Sequence, residues 1–280
     1  MISRVLSDSF ITIKNNFKKI FFMSLPVIVF GLFFNGMSSS LDRTVLNSLD
    51  NLTDVTVDSV FGVLNNYIGL GLGTYILVLI LSYLQLSLSM GYLKSDQEDN
   101  FEFKNAFALF LQKNTWWKII LISIVFSIAV SLVIGVFALL IFVSAYFIQS
   151  GLLTAIFIIG LIVLLFYIAI TFGFNYLNYY DDINKQNKTG VFLSFKNVWN
   201  LISGYRGAYF GLMIIIGLLT FGFTSVFGLA IGIFSALFSL IPVIGSFLGW
   251  IVNILITLFG LIFAIYTNMV TIKFFKEIKK

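Results

Sequence analysis

Hydrophobic positions along this chain fall into two alternating kinds of stretch: short segments with helical period, and long unbroken apolar runs. The clearest junction between them spans residues 189–219. Phe192, Phe195, Trp199 and Ile202 recur at steps of three, four and three, which places them on one face of a helix. Ser194, Lys196, Asn197, Asn200 and Ser203 take the opposite face, and after Arg206 the chain carries no charge until Lys273. This is the pattern of an amphipathic helix lying in the headgroup layer and running into a membrane span. The junction occurs twice earlier. Leu6, Phe10, Ile13, Phe17 and Ile20 lead through Lys18 and Lys19 into one apolar run; Phe103, Phe107 and Phe110 precede Lys113, Trp116, Trp117 and Lys118 and then another. The repetition predicts one polytopic domain over residues 1–280, built as a three-fold repeat of helix plus membrane hairpin, with units of about 1–93, 94–180 and 181–280.

The apolar runs divide by length. No charge lies between Lys118 and Asp181 or between Arg206 and Lys273. About sixty residues at about 1.5 Å each would make a helix of roughly 90 Å, three times the hydrocarbon thickness, so each run must fold back. Gln149, Ser150 and Gly151 mark the first return, and residues 242–246, beginning at Pro242, the second. The expected spans are residues 20–37, 67–90, 119–142, 152–177, 208–231 and 247–271, with 232–241 read as a kinked prolongation of the fifth rather than a re-entrant piece. Pro26 lies in the first turns of the first span, where its ring is best tolerated. The basic segment before that span is too long for a signal peptide, so the span is read as uncleaved. Leu41, Val45, Leu49 and Leu52 predict a short amphipathic helix in the acidic segment that follows, and the glycosylation-like triplet Asn51, Leu52, Thr53 is read as chance. Gly69, Gly71 and Gly73, at the entry of the second span, mark simple helix packing.

Composition changes the picture from amphipathic to membrane-embedded. Hydrophobic residues make up 59% of 280 and charged residues 10%, too little polar surface for a fold in water. Six spans put both termini on one side, and of the 17 basic residues only Arg43 would face the other; that side is the cytoplasm. The chain is thus expected to be an all-α, multi-pass protein of the cell membrane with about six transmembrane helices. Three cytoplasmic interfacial helices are anchored by Phe10, Phe17, Phe107, Trp116, Trp117, Phe192, Phe195 and Trp199. The net charge of +5 is assigned to this asymmetry and not to nucleic acid.

The absence of histidine and cysteine removes imidazole bases, thiol nucleophiles, disulfides and the usual zinc, copper and haem ligands. No phosphate-binding loop of the GxxxxGK[ST] type occurs, and no charged residue falls inside an expected span. Asn35, Gln85, Asn175 and Asn253 lie at depth and are read as interhelical hydrogen-bonding groups. Asp181 and Asp182 are the best candidates for a divalent ion or for acid–base work, but with a lysine-rich tail after them they read as a solvated helix end. Glu98, Asp99 and Glu102 are read the same way. Gly207/Gly211, Gly228/Gly232 and Gly245/Gly249 are GxxxG pairs, expected to let the last two spans approach closely or to form a dimer face. No catalytic, cofactor or metal residue is assigned.

The repeated joint, with a large apolar residue (Phe10, Leu109, Trp199), a short polar link (Lys14 and Asn15, Lys113 and Asn114, Ser203 and Gly204) and then the span, resembles bacterial six-span membrane proteins of the DUF975 and YciC-like type. These are similar in turn to the membrane domain fused to some glycerophosphodiester phosphodiesterases, whose catalytic domain has no counterpart here. The phenylalanine-, isoleucine-, lysine- and asparagine-rich usage suits an AT-rich bacterial genome. The expected function is non-catalytic: a membrane protein acting by binding lipid or a membrane partner, including protection against membrane-active peptides. The alternative is a permease subunit for a hydrophobic or peptide substrate that works with a separate ATPase. A lipid-modifying enzyme using Asp181 and Asp182 ranks last.

Overall fold

The computed structural model describes the backbone of residues 1–50, 57–112, 115–185, 189–238 and 242–280, and the side chains of the same residues except 35–72, 231 and 235–258. Among the described residues every regular element is helical. Six stretches are long and apolar enough to cross a membrane: Ile2–Phe34, Gly73–Glu98, Thr115–Phe147, Gly151–Asn184, Arg206–Phe234 and Phe259–Ile278. The chain is a multi-pass membrane protein.

The first helix, α1 (Ile2–Asp50), is 49 residues long, but its backbone leaves helical values at Asn16 (φ −117°, ψ 18°). Pro26 sits inside it. The helix continues through residues 38–50, where a separate short helix was expected; no glycine or proline there interrupts propagation. Leu52 and the Asn51–Thr53 triplet lie outside the described residues. Helix α2 (Val57–Glu98) runs through all three glycines at 69, 71 and 73, and among the described residues a Cβ on Gly73 would meet nothing within 4 Å. It stops at Asp99, which takes the left-handed conformation (φ 49°) common just past a helix end.

The second joint is not one amphipathic helix. It is a 3₁₀ turn (Phe103–Phe107) followed by a single α-turn, α3 (Ala108–Leu111). Helix α4 (Thr115–Phe142) then ends in a π-turn (Val143–Phe147), and the chain reverses at Gln149 (φ 54°). Ser150 caps α5 (Gly151–Phe172), its Oγ accepting from Leu153 N at 3.3 Å. The first return thus falls where the glycine and polar residues place it. Next come α6 (Asn175–Asn184), α7 (Val191–Ile202), α8 (Arg206–Phe238) and α9 (Pro242–Ile278). Helix α8 absorbs the expected surplus as far as Phe238. Residues 242–246 belong to α9 rather than to a turn, with Pro242 at the first helical position, where its missing N–H costs nothing.

Two compact units form: Asn15–Leu111, and Met1–Lys14 with Gln112–Lys280. In the first, the 3₁₀ turn packs on α2. Ser87 Oγ donates to Ala106 O (2.8 Å) and accepts from Leu109 N (3.2 Å), Asn105 Nδ2 donates to Ser95 Oγ (3.0 Å), and Ser24 and Tyr92 share a hydrogen bond of 2.5 Å. Gly91 permits the approach: a Cβ there would overlap the Asn105 carbonyl, 2.6 Å from its carbon and 2.7 Å from Met23 Cε. In the second unit, α4 pairs with α5 and α8 with α9. Phe174, Tyr209, Phe274 and Phe275 form a buried aromatic cluster, Phe174 lying 4.5 Å centre to centre from Tyr209 and 5.9 Å from Phe274.

Candidate functional site

Helix α6 is ten residues long and buries seven of them: Asn175, Leu177, Asn178, Tyr179, Tyr180, Asp181 and Asp182. Asp181 and Asp182 are therefore not a solvated helix end; that expectation is corrected. They are held by a residue far along the chain. Lys279 Nζ lies 2.6 Å from Asp181 Oδ2, 2.8 Å from Asp182 Oδ1 and 2.8 Å from Asn178 Oδ1. Lys185 adds a second cation on Asp181 at 2.9 Å, while Asn178 Nδ2 (3.2 Å) and Thr189 Oγ1 (3.4 Å) donate to Asp182 Oδ2. Burying a carboxylate is tolerable only with this density of partners. A lysine near the end of the chain, Lys279, closes over the pair. Nearby, Arg4 pairs with Glu277, which also pairs with Lys280, and Gln112 hydrogen-bonds Asn184. Among the described residues no group of three or more histidine, cysteine or acidic side chains is placed to hold a metal ion.

Helix α7 sits against α4, α5 and α6. Its buried line is Ser194, Val198 and Ile202, at steps of four. Ser194 Oγ donates to Asn175 Oδ1 at 2.5 Å, so Ser194 belongs inside rather than on the polar face, and Asn175 makes the interhelical bond expected of it. Phe195 and Trp199 lie beside this line. Phe195 stacks on Phe126 (6.4 Å) and meets Phe172 edge-on (5.7 Å); Trp199 meets Tyr167 edge-on at 6.1 Å. Arg206, the first residue of α8, places its guanidinium carbon 4.3 Å from the Trp199 ring centre and 5.2 Å from that of Tyr167. Its Nε and Nη2 are closed to solvent and have no acceptor among the described residues.

The other anchor residues distribute consistently. Phe10, Phe17, Trp116, Trp117 and Phe192 are exposed, Phe192 at 77%, while Phe107 is half-buried against Phe103. Over residues 2–20 of α1 the buried residues are Val5, Ser9, Ile13 and Ile20, so only part of the expected face turns inward. At the second joint Asn105, Ala106, Ala108 and Leu109 are buried while Phe103 and Phe110 are exposed. Each of the three stretches buries a small residue, Ser9, Ala106 or Ser194, together with large aliphatic ones, while Phe10, Phe17, Phe103, Phe110 and Phe192 are exposed and Phe107 and Phe195 are half-buried.

Of the glycine pairs, a Cβ on Gly207, Gly228 or Gly232 would meet nothing within 4 Å among the described residues, and one on Gly211 would meet only Ile2 Cδ1 at 3.6 Å. Helices α8 and α9 meet through Phe223 with Phe263 (5.4 Å) and Phe227 with Phe259 (5.0 Å). The side-chain surroundings of Gly245, Gly249, Asn35 and Asn253 lie outside the described residues. Gln85 is exposed.

No family model, curated protein or solved structure matches the chain.

Proposed function

We propose that this chain is a non-catalytic membrane protein that works by binding lipid or a membrane partner through its outer surface. The arrangement of the three joints carries the reading. Phe10, Phe17, Phe103, Phe110 and Phe192 stand on the exposed side while Ser9, Ala106 and Ser194 turn inward. An exposed aromatic beside a cationic span end is an arrangement suited to the boundary between headgroups and acyl chains. The most apolar stretches of Thr115–Phe147 and Gly151–Asn184 contain no fully buried residue, and in this reading lipid or another protein covers their outer sides. The acidic pair supports the same reading, because Asp181 and Asp182 are spent on holding α6 to the C-terminal end of α9. In this reading the joints lie at the cytoplasmic face of the cell membrane with both termini on that side, and the three joints are copies of one device, as in the six-span bacterial proteins the chain resembles.

Native mass spectrometry of the protein released from lipid nanodiscs tests the function. Discrete complexes with phospholipid, or with a second membrane chain, are expected. A bare monomer, under conditions where a control membrane protein keeps its lipids, would overturn the reading. The depth of the joints is tested separately, with Trp116 as the single tryptophan (Trp117, Trp199 and Trp250 replaced by Phe) and lipids brominated at known depths. Shallow labels should quench it most.

A further inference from the structure

We infer that Arg206 binds the phosphate of a membrane phospholipid, in a headgroup site walled by Trp199 and Tyr167 at the start of α8. The inference rests on the lipid-binding reading and names the ligand chemistry for one place on the chain.

Arg206 is the last charge before a run of uncharged residues that reaches Lys273, so it sits at the polar end of the stretch Arg206–Phe234. The carboxylates that carry ion pairs in this unit have other partners: Asp181 has Lys279 and Lys185, Asp182 has Lys279, and Glu277 has Arg4 and Lys280. What Arg206 has is two aromatic rings, which attract the cation through their faces but accept no strong hydrogen bond.

The two donors without an acceptor, Nε and Nη2, form one edge of the guanidinium. That edge is the side-on fork that grips two oxygens of one phosphate or carboxylate. A pair of buried donors on the same edge matches the spacing of two oxygens of a phosphodiester. The two rings beside the guanidinium are themselves at the surface, Trp199 being 42% and Tyr167 39% exposed, so in this proposal a turn of the guanidinium against them presents the fork outward. The first N–H groups of α8, a 33-residue helix, add positive potential on the same side. A related pairing stands at the start of α4, where Lys118 Nζ lies 5.8 Å from the ring centre of Trp117.

Phosphate can come from a lipid headgroup or from solution, and the test separates the two. The full chain, with Trp116, Trp117 and Trp250 replaced by Phe, is held in an uncharged detergent and Trp199 emission is followed. The probes are a short-chain phosphatidylglycerol, a diacylglycerol of the same chain length, and inorganic phosphate. Phosphatidylglycerol should give a saturable change that diacylglycerol does not, and phosphate should act only at much higher concentration. Arg206→Gln should weaken phosphatidylglycerol binding by about tenfold or more, and Arg206→Lys, which keeps the charge but loses the fork, by a smaller but measurable factor. Equal responses to the two lipids, or unchanged binding in either variant, would overturn the site; equal affinity for free phosphate would overturn the lipid as its source. If Arg206→Gln does not fold, the lysine variant decides. Unchanged lipid retention in nanodiscs by a variant that has lost the Trp199 response would be the expected sign of further lipid contacts elsewhere. Failure of the parent to retain lipid or partner at all would fall on the broader reading.

Discussion

Replacing Lys279 with methionine removes the cation that faces both buried carboxylates and leaves the length of the side chain nearly unchanged. The side chains of Asp181, Asp182 and Lys279 are 1%, 11% and 20% exposed. Removing one partner of a buried ion pair costs roughly 3–5 kcal/mol, because the charge left behind is neither solvated nor paired. Two features lower that figure here. Lys185, 57% exposed, still reaches Asp181, and Lys279 is partly open to solvent. The expected loss is therefore about 2–4 kcal/mol. Lys280→Met is the control, since its partner Glu277 keeps Arg4 and the lysine is 71% exposed; it should cost less than about 1 kcal/mol. Unfolding in mixed micelles of increasing dodecyl sulfate content gives both values. The chain has no cysteine, so a cysteine at buried Ile278 reports local release of the end of α9 through its reactivity. Adding Asp181→Asn and Asp182→Asn to Lys279→Met should recover more than half of the loss, because no buried charge then lacks a partner. A Lys279→Met cost no larger than that of Lys280→Met would refute the reasoning.

Three further outcomes follow from the packing. Gly91→Ala should prevent the 3₁₀ turn from seating on α2, because the added Cβ overlaps backbone that cannot retreat like a side-chain tip; loss of protection at the Asn105 amide in hydrogen exchange checks it. Phe227→Ala should loosen α8 from α9 by about 1 kcal/mol, on the scale of one aromatic pair, whereas Gly228→Ala should be close to neutral; micelle unfolding of both variants compares them. With the joints on the cytoplasmic side, a cysteine replacing exposed Gln149 should react with an impermeant thiol reagent in intact cells, and one replacing exposed Ser203 only after permeabilisation; the opposite pattern would reverse the orientation.

Local chemistry along the chain marked the apolar runs and the first return but not every helix end: residues 38–50 continue α1, the second joint is a 3₁₀ turn with one α-turn, and residues 242–246 lie inside α9. Apolar runs too long for one crossing had to fold back, and Gln149, Ser150 and Gly151 mark the first return. Breaks also stand at Asn16 and between Ile202 and Arg206, each beside a joint that the alternation of amphipathic and apolar segments had marked. Which face of each helix turns inward was not legible, and the reason is the solvent. In water an apolar stripe must be buried, so the stripe names the core; in lipid an apolar face is equally content outside, and close packing selects small residues instead. Hence Ser194 lies inside and Phe192 outside, against the aromatic period. The partner of Asp181 and Asp182 was equally out of reach, because Lys279 is one of several lysines at the end of the chain and only the fold brings it to α6. The fork of Arg206 depends on the same thing: two rings from α5 and α7 must meet over the first residue of α8, and no local pattern encodes that meeting.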